Sequence, residues 1–157
     1  MMVSNIESQD DVAHLIGIFS AVWGAETLSE FVSNIQSNTC LLVRDGTSSV
    51  VGYLFYDIDD RTLSTNRPKW ETLEDDVDFF VEITDLGVSK DVRNQGFGRT
   101  LVEHIQSMTD TVRLSVKENN LSARSLYKSL GFKEIKVYQN YYGVGHDGIR
   151  MEWKRNR

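Results

Sequence analysis

Cysteine and proline are almost missing from this chain of 157 residues, which contains one of each. The lone cysteine, Cys40, excludes a disulfide within the chain and fits a reducing compartment, so we expect it to be a small buried apolar residue. Histidine is also scarce, and the three histidines have no partners at the spacing of metal ligands. We therefore expect neither a disulfide framework nor a metal site.

Long apolar runs and an excess of positive charge are missing as well. No run approaches the length of a membrane span, and residues 1–11 are polar and acidic, unlike a secretory signal. We therefore expect a cytoplasmic protein that binds no membrane. The formal charge of −6 disfavours binding to nucleic acid and is compatible with a cationic partner. The length and the hydrophobic content of 40% are typical of one globular domain, which we expect to span residues 1–157.

The pattern of apolar residues predicts alternating helices and strands. Helical periodicity predicts four helices, at residues 9–22, 28–37, 96–108 and 120–130. Short apolar runs predict six strands, at residues 40–44, 50–57, 79–88, 112–116, 132–142 and 149–154. On the second helix, Phe31, Val32 and Ile35 are expected to face the core. Residues 61–78 include the only proline and little periodicity, which predicts a long loop. This order of elements predicts a mixed α/β fold.

One segment at a predicted strand-to-helix junction has the composition of an anion site. It reads Arg93, Asn94, Gln95, Gly96, Phe97, Gly98 and Arg99. Glycines let the backbone approach a ligand closely, and a helix start offers N–H groups and a positive dipole end. We predict that a diphosphate binds here, with a turn that only caps the helix as the alternative. The segment is not a dinucleotide fingerprint, because Leu101 stands where that motif has its third glycine.

A second segment follows about 20 residues later and has the pattern Asn-x-x-Ala-x-x-x-Tyr-x-x-x-Gly-Phe, with Asn120 first and Phe132 last. The first segment fits the pattern Arg/Gln-x-x-Gly-x-Gly/Ala. In this order and spacing, the two segments resemble the GNAT superfamily of acyl-CoA-dependent N-acetyltransferases. The resemblance implies the GNAT-like fold, a mixed, mostly antiparallel twisted sheet flanked by helices, and acetyl-CoA as cosubstrate.

The resemblance also implies roles for particular residues. The backbone of Leu86, Gly87 and Val88 would pair with the pantetheine arm of the cosubstrate, as an added strand would. Asn120 would contact the cosubstrate, and Tyr127 would protonate the departing thiolate. At 100° per residue, Asn120 and Tyr127 are predicted to share one helical face. The alternative for Tyr127 is a tyrosine that is packed for its ring.

The end of the chain is similar to protein N-terminal acetyltransferases of the ribosomal-protein-alanine type, which tend to carry Asn-Tyr-Tyr and then Asp-Ala-x-x-Met. The corresponding residues here are Asn140, Tyr141, Tyr142, Asp147, Gly148 and Met151, with glycine in place of alanine. The family builds its acceptor pocket where Trp23, Tyr142 and the acidic part of residues 61–78 lie. We expect this pocket to bind a cationic amine, and the alternative for the acidic residues is a solvated loop with no role in binding. We expect the protein to be a monomer or a homodimer.

The general base has two candidates. Glu82, six residues before Val88, matches the position where several GNAT enzymes carry a glutamate base. Asp85 is the competing carboxylate, and a carboxylate at the wet face of the sheet is the structural alternative. Ser115 stands where the ribosomal-protein-alanine type carries its catalytic glutamate, so any base must come from elsewhere.

Three functions remain open at this point. The first is transfer of an acetyl group to a primary amine by direct attack in a ternary complex, with a protein N-terminus among the acceptors. The second is the same reaction on a small-molecule amine, such as a polyamine or an amino sugar. The third is a non-catalytic module that binds acyl-CoA and regulates, which the loss of the glutamate at Ser115 permits.

Overall fold

The structure is a computed structural model that describes residues 1–24, 28–37, 39–60 and 79–156. Its strands are β1 (Met2–Ser4), β2 (Thr39–Arg44), β3 (Val50–Asp60), β4 (Phe79–Val88), β5 (Thr111–Lys117), β6 (Lys133–Tyr138) and β7 (Gly148–Lys154). Its helices are α1 (Gln9–Trp23), α2 (Leu28–Ser37), α3 (Phe97–Met108) and α4 (Leu121–Ser129). The strands hydrogen-bond in the order β1-β2-β3-β4-β5-β7-β6. The pairs β1–β2, β2–β3, β5–β7 and β7–β6 are antiparallel, which confirms the predicted fold class.

All the predicted helices and strands are present in the described chain, and one of the strands needs correction. The predicted strand 132–142 is shorter, because turns replace it after Tyr138 and Asn140 takes a left-handed φ of 55° that a strand cannot use. The short strand β1 and a 3-10 turn at Lys90–Val92 had not been predicted. The predicted loop at residues 61–78 lies outside the described residues. None of the described helices is long and apolar enough to cross a membrane.

Residue contacts divide the chain into two compact units, and the first comprises Met1–Asp57 and Ile83–Ile105. Its core is aromatic: Phe19 stacks on Phe31 with ring centroids 3.9 Å apart, and Tyr53 and Phe55 contact Phe31 edge-on. Burying each such side chain stabilises the fold by roughly 1.5–3 kcal/mol. Cys40 is buried in this core, as predicted.

On α2, Phe31 is fully buried, but Val32 is 37% exposed, contrary to the prediction. The reason is that one residue step rotates a side chain by 100° around a helix axis, which takes Val32 off the narrow face that Phe31 and Ile35 present to the core.

The second unit comprises Ile58–Glu82 and Gln106–Arg157. Strands β5 and β7 pair along their whole length, and this register places Ser115 opposite Arg150 and Arg113 opposite Glu152. Side chains alternate between the two faces of a sheet. One face of these strands therefore carries buried apolar side chains, from Val112, Leu114, Val116, Ile149 and Met151. The opposite face carries the charged pairs, and it is this face that positions the candidate base.

Candidate active site

The predicted anion segment has the conformation that such a site requires. After β4 ends at Val88, the chain makes the 3-10 turn and α3 begins at Phe97. Gly96 has a φ of +90°, which L-residues rarely adopt. A Cβ on Gly96 would meet only Met1 Cε, at 3.6 Å, so backbone conformation rather than space requires the glycine. Asn94 is also left-handed, with a φ of 62°.

The start of α3 presents N–H groups ahead of the helical hydrogen-bond ladder. The ladder's bond from Thr100 N to Gly96 O is 2.9 Å long. The amides of Phe97, Gly98 and Arg99 come before this bond, and the dipole adds positive charge at the same end. Arg99 lies 3.6 Å from Glu103, one turn further along the helix. This arrangement can hold a phosphate group.

Two backbone groups at the end of β4 already have partners within the protein. Leu86 N donates to Asp85 Oδ1 at 2.8 Å, and Val88 O accepts from Arg93 Nε at 3.2 Å. Both groups belong to the stretch that was predicted to pair with the cosubstrate. In Gly87, an added Cβ would lie 2.4 Å from the ring of Tyr53, so only glycine fits there.

Asp85 is a partly buried carboxylate that is held by neutral donors. The Tyr53 hydroxyl donates to Asp85 Oδ2 at 3.0 Å, and the Trp23 side chain hydrogen-bonds the same hydroxyl. Burial raises the pKa of Asp85, and its hydrogen bonds to Tyr53 and to the Leu86 amide offset part of that rise. Trp23, at the end of α1, is 50% exposed. Asp85 therefore combines a raised pKa with partial exposure, which keeps it a candidate for the general base.

Glu82 lies in a different environment, beside a guanidinium. Arg150 Nη1 donates to Glu82 Oε1 and, at 3.3 Å, to Ser115 Oγ. The Glu82 side chain remains 25% exposed, and that of Arg150 is 11% exposed. Tyr142 lies close enough for the charge of Glu82 to affect its pKa. Burial, followed by the charges of Tyr141 and Glu82, raises the pKa of Tyr142 to about 12. The structure thus brings Glu82 and Tyr142, predicted as base and as acceptor contact, into one cluster.

Arg150 is the member of this cluster that sequence reasoning missed. It sits between the buried Ile149 and Met151 in β7, a strand with neighbours on both sides. A charged residue in an interior strand needs a partner, so an arginine between two apolar residues of a predicted strand already indicated a paired charge. The identity of that partner was not readable, because Glu82 is 68 residues away in sequence.

The second motif is arranged differently from its prediction. Helix α4 begins at Leu121, and Asn120 is its N-cap, with Oδ1 accepting from Ala123 N at 3.2 Å. The helical-face argument therefore does not apply to Asn120, because a capping residue has non-helical dihedrals. Tyr127 is 6% exposed, and its ring lies 5.6 Å from that of Phe132.

Tyr142 belongs to the turns between β6 and β7. It is partly exposed, its ring contacts Tyr141 edge-on, and Lys117 Nζ lies 5.7 Å from its centroid. The acidic residues expected to face it fall within residues 61–78, outside the described residues. Across the part of the chain that the structure describes, no three His, Cys, Asp or Glu side chains are grouped as metal ligands.

Comparison with known proteins adds a family to this geometry. Residues 10–132 match the Acetyltransferase (GNAT) family. The chain belongs to this family. It is 39% identical over 62 residues to the ribosomal protein bS18-alanine N-acetyltransferase of Escherichia coli K12, a match that covers 36% of this chain and 42% of that protein. The chain thus spans less than half the length of this relative.

Among solved structures, Arabidopsis thaliana NAA60 in complex with acetyl-CoA has a TM-score of 0.74 at 20% identity, with 99% of both chains covered. An aminoglycoside 6'-N-acetyltransferase complexed with coenzyme A has a TM-score of 0.73 at 15% identity, covering 100% of this chain and 99% of the other. At these identities the likeness shows the shared fold.

Proposed function

We propose that this protein is an acetyltransferase of one domain, residues 1–157, that transfers the acetyl group of acetyl-CoA to a primary amine. The observation that carries the proposal is the strand–turn–helix cradle, in which Gly96 at a φ of +90° leads into the N–H groups that begin α3. Membership of the GNAT family supports it, and so does the likeness in fold to a structure in complex with acetyl-CoA.

The cosubstrate is held, in this proposal, by three parts of the chain. The first motif receives the pyrophosphate through Arg93, Asn94, Gln95, Gly96, Phe97, Gly98 and Arg99. The backbone of residues 86–88 receives the pantetheine arm. For this the Leu86 N–H must exchange its bond to Asp85, whereas the Val88 carbonyl can accept a second bond beside that from Arg93. Asn120, at the start of α4, contacts the cosubstrate.

Two side chains move the protons of the reaction. An α-amine has a pKa near 8 and a lysine near 10.4, so at neutral pH the acceptor must lose a proton before it attacks. Glu82 takes that proton, directly or through water, with Asp85 as the alternative base. The neutral amine then attacks the thioester carbonyl, so that the new N–C bond forms and the C–S bond breaks as Tyr127 donates its phenolic proton to the sulfur. The nitrogen loses its second proton to water, and a proton from water restores the Tyr127 phenol.

The acceptor is a cationic amine, for which we favour a protein N-terminus, bound beside Trp23 and Tyr142. The match to a relative named for the alanine of a ribosomal protein supports this choice. The fold shared with an aminoglycoside acetyltransferase keeps a small-molecule amine as the second candidate. We expect the protein to act in the cytoplasm, as a monomer or a homodimer.

Thiol release from acetyl-CoA tests the proposal, with N-terminal peptides, lysine peptides, polyamines and amino sugars as acceptors. We expect turnover with at least one class, and we expect Tyr127→Phe to lower kcat by about 10²–10⁴-fold while the affinity for acetyl-CoA is kept. Phe132→Leu, which changes the ring beside Tyr127 but no proton donor, is the matched control. Binding of acetyl-CoA without turnover on any acceptor would instead indicate a non-catalytic module.

A further inference from the structure

Arg150 is fixed by oxygen atoms from two other strands. It lies directly opposite Ser115 in the β5–β7 register, and its Nη1 donates both to Ser115 Oγ and to Glu82 Oε1 on β4. A guanidinium is planar and always charged, so it holds a carboxylate in a defined direction. The arrangement therefore sets where the Glu82 side chain points.

Glu82 is held at one oxygen and open at the other. Within the described ranges, every hydrogen bond that Glu82 receives on its side chain goes to Oε1, and none goes to Oε2. A quarter of the side chain is exposed, so water or an amine can reach it. A base must lie within hydrogen-bond reach of the proton that it takes and in a fixed orientation. An anchored oxygen beside an open one meets both requirements.

Stability alone does not account for this ion pair. Partly exposed ion pairs add little to stability, and burial of charge can make them unfavourable. One step along the same face, Arg113 and Glu152 already join β5 to β7 by a bond of 2.8 Å in a more buried position. The pair at Glu82 is more exposed to solvent than the pair at Glu152. Its geometry is therefore better suited to orienting the carboxylate than to stabilising the fold.

We propose that Arg150 is a positioning residue that orients the Glu82 carboxylate toward the acceptor amine. This proposal rests on the function proposed above. Ser115 supports this role, because its neutral hydroxyl accepts from Arg150 without competing for the charge. A carboxylate at residue 115 would draw the guanidinium away from Glu82. Arg150 and Ser115 together thus make Glu82 the carboxylate that this cluster presents to an acceptor.

A double-mutant cycle tests the proposal by activity. Arg150→Met should lower kcat by about tenfold to a hundredfold, the effect of a misplaced catalytic group, and leave the affinity for acetyl-CoA unchanged. In a Glu82→Gln background the same change should have no further effect, because Arg150 acts through Glu82. Arg150→Lys should recover part of the rate. Equal losses from Arg150→Met in both backgrounds would overturn the proposal.

A second measurement does not depend on turnover. In protein labelled with ¹³C-glutamate, the Glu82 resonances can be assigned as those that Glu82→Gln removes. Arg150→Met should change them from the dispersed shifts of one rotamer to averaged values, while the Glu152 resonances stay unchanged. Persistence of a single Glu82 rotamer would overturn the proposal. If the wild type acetylates no amine but Glu82 responds to Arg150→Met, the proposed function fails and the positioning by Arg150 stands.

Discussion

Two ion pairs are built from the same residue types but have different surroundings: Arg113–Glu152 joins β5 to β7, and Arg150–Glu82 joins β7 to β4. Arg113 and Glu152 are 2% and 11% exposed, and the Arg113 guanidinium lies 4.5 Å from the centroid of the Phe80 ring. Arg150 and Glu82 are 11% and 25% exposed, and their neighbours are a hydroxyl and the phenol of Tyr142. An aromatic ring covers the first pair, whereas the second borders solvent.

This difference separates a structural ion pair from one that is available for chemistry. A carboxylate in a dry, fully paired site can neither meet a substrate nor exchange a proton with it. A carboxylate that keeps one oxygen open can do both, while its partner limits its movement. The two pairs therefore predict opposite responses to the same glutamate-to-glutamine substitution.

The largest expected effect is on turnover. Glu82→Gln should lower kcat by about 10²–10⁴-fold, because the amide has nearly the same shape but cannot take a proton. Acetyl-CoA binding should stay close to wild type, and the loss of stability in urea should be smaller than that from the same substitution in the more buried pair. Rates with the best acceptor, measured from pH 6 to 9, should show the largest loss where the amine is mainly protonated. A larger loss in Asp85→Asn over the same range would make Asp85 the base.

The matched substitution in the covered pair should instead affect stability. Glu152→Gln leaves the Arg113 charge buried with an amide as its neighbour, and breaking a buried ion pair in this way typically costs about 3–5 kcal/mol. Urea unfolding measures this loss, and kcat per folded molecule should be unchanged. A Glu152→Gln protein with wild-type stability and impaired turnover would reverse the assignments of the two pairs.

Asp85 differs from Glu82 and Glu152 in having neutral donors, the Tyr53 hydroxyl and the Leu86 amide, in place of an arginine. Burial raises its pKa, so the folded state binds more protons than the unfolded state between the ordinary value of 3.8 and the raised value. The unfolding free energy of the wild type should therefore fall as the pH rises through that window, and Asp85→Asn should lack this fall. Urea titrations from pH 4 to 8 would show the two proteins diverging with pH, and parallel profiles would contradict the raised pKa.

Ser115→Ala should have the smallest effect. It removes one acceptor, at 3.3 Å, from Arg150 and leaves the ion pair with Glu82 in place. The net loss of a hydrogen bond is about 0.5–1.5 kcal/mol, so kcat should fall by less than about tenfold. Steady-state measurements of kcat for Ser115→Ala and Arg150→Met under the same conditions would rank the two losses. A greater loss from Ser115→Ala would mean that the hydroxyl, and not the guanidinium, orients Glu82.

Local features of the fold were predictable from sequence. The cradle was found because glycines, an arginine and the change from alternating to helical periodicity all lie within a few residues of Gly96. Strand β1 escaped prediction, because three residues are too few to show alternation. The start of α4 was misplaced by one residue, because an asparagine at a helix start fits the first turn and the cap equally well in sequence.

The sequence by itself determined the family, the mixed α/β order of elements and the two motifs, since each depends on residues close together in the chain. Only the tertiary structure decided which carboxylate meets which cation. Glu82 and Arg150 are 68 residues apart, and a shift of one residue in the β5–β7 register would turn Arg150 to the apolar face. The packing of Phe80 over Arg113 decided which of the two ion pairs is shielded from solvent. Pairing and burial are long-range properties, set by strand register and packing, and no local pattern encodes them.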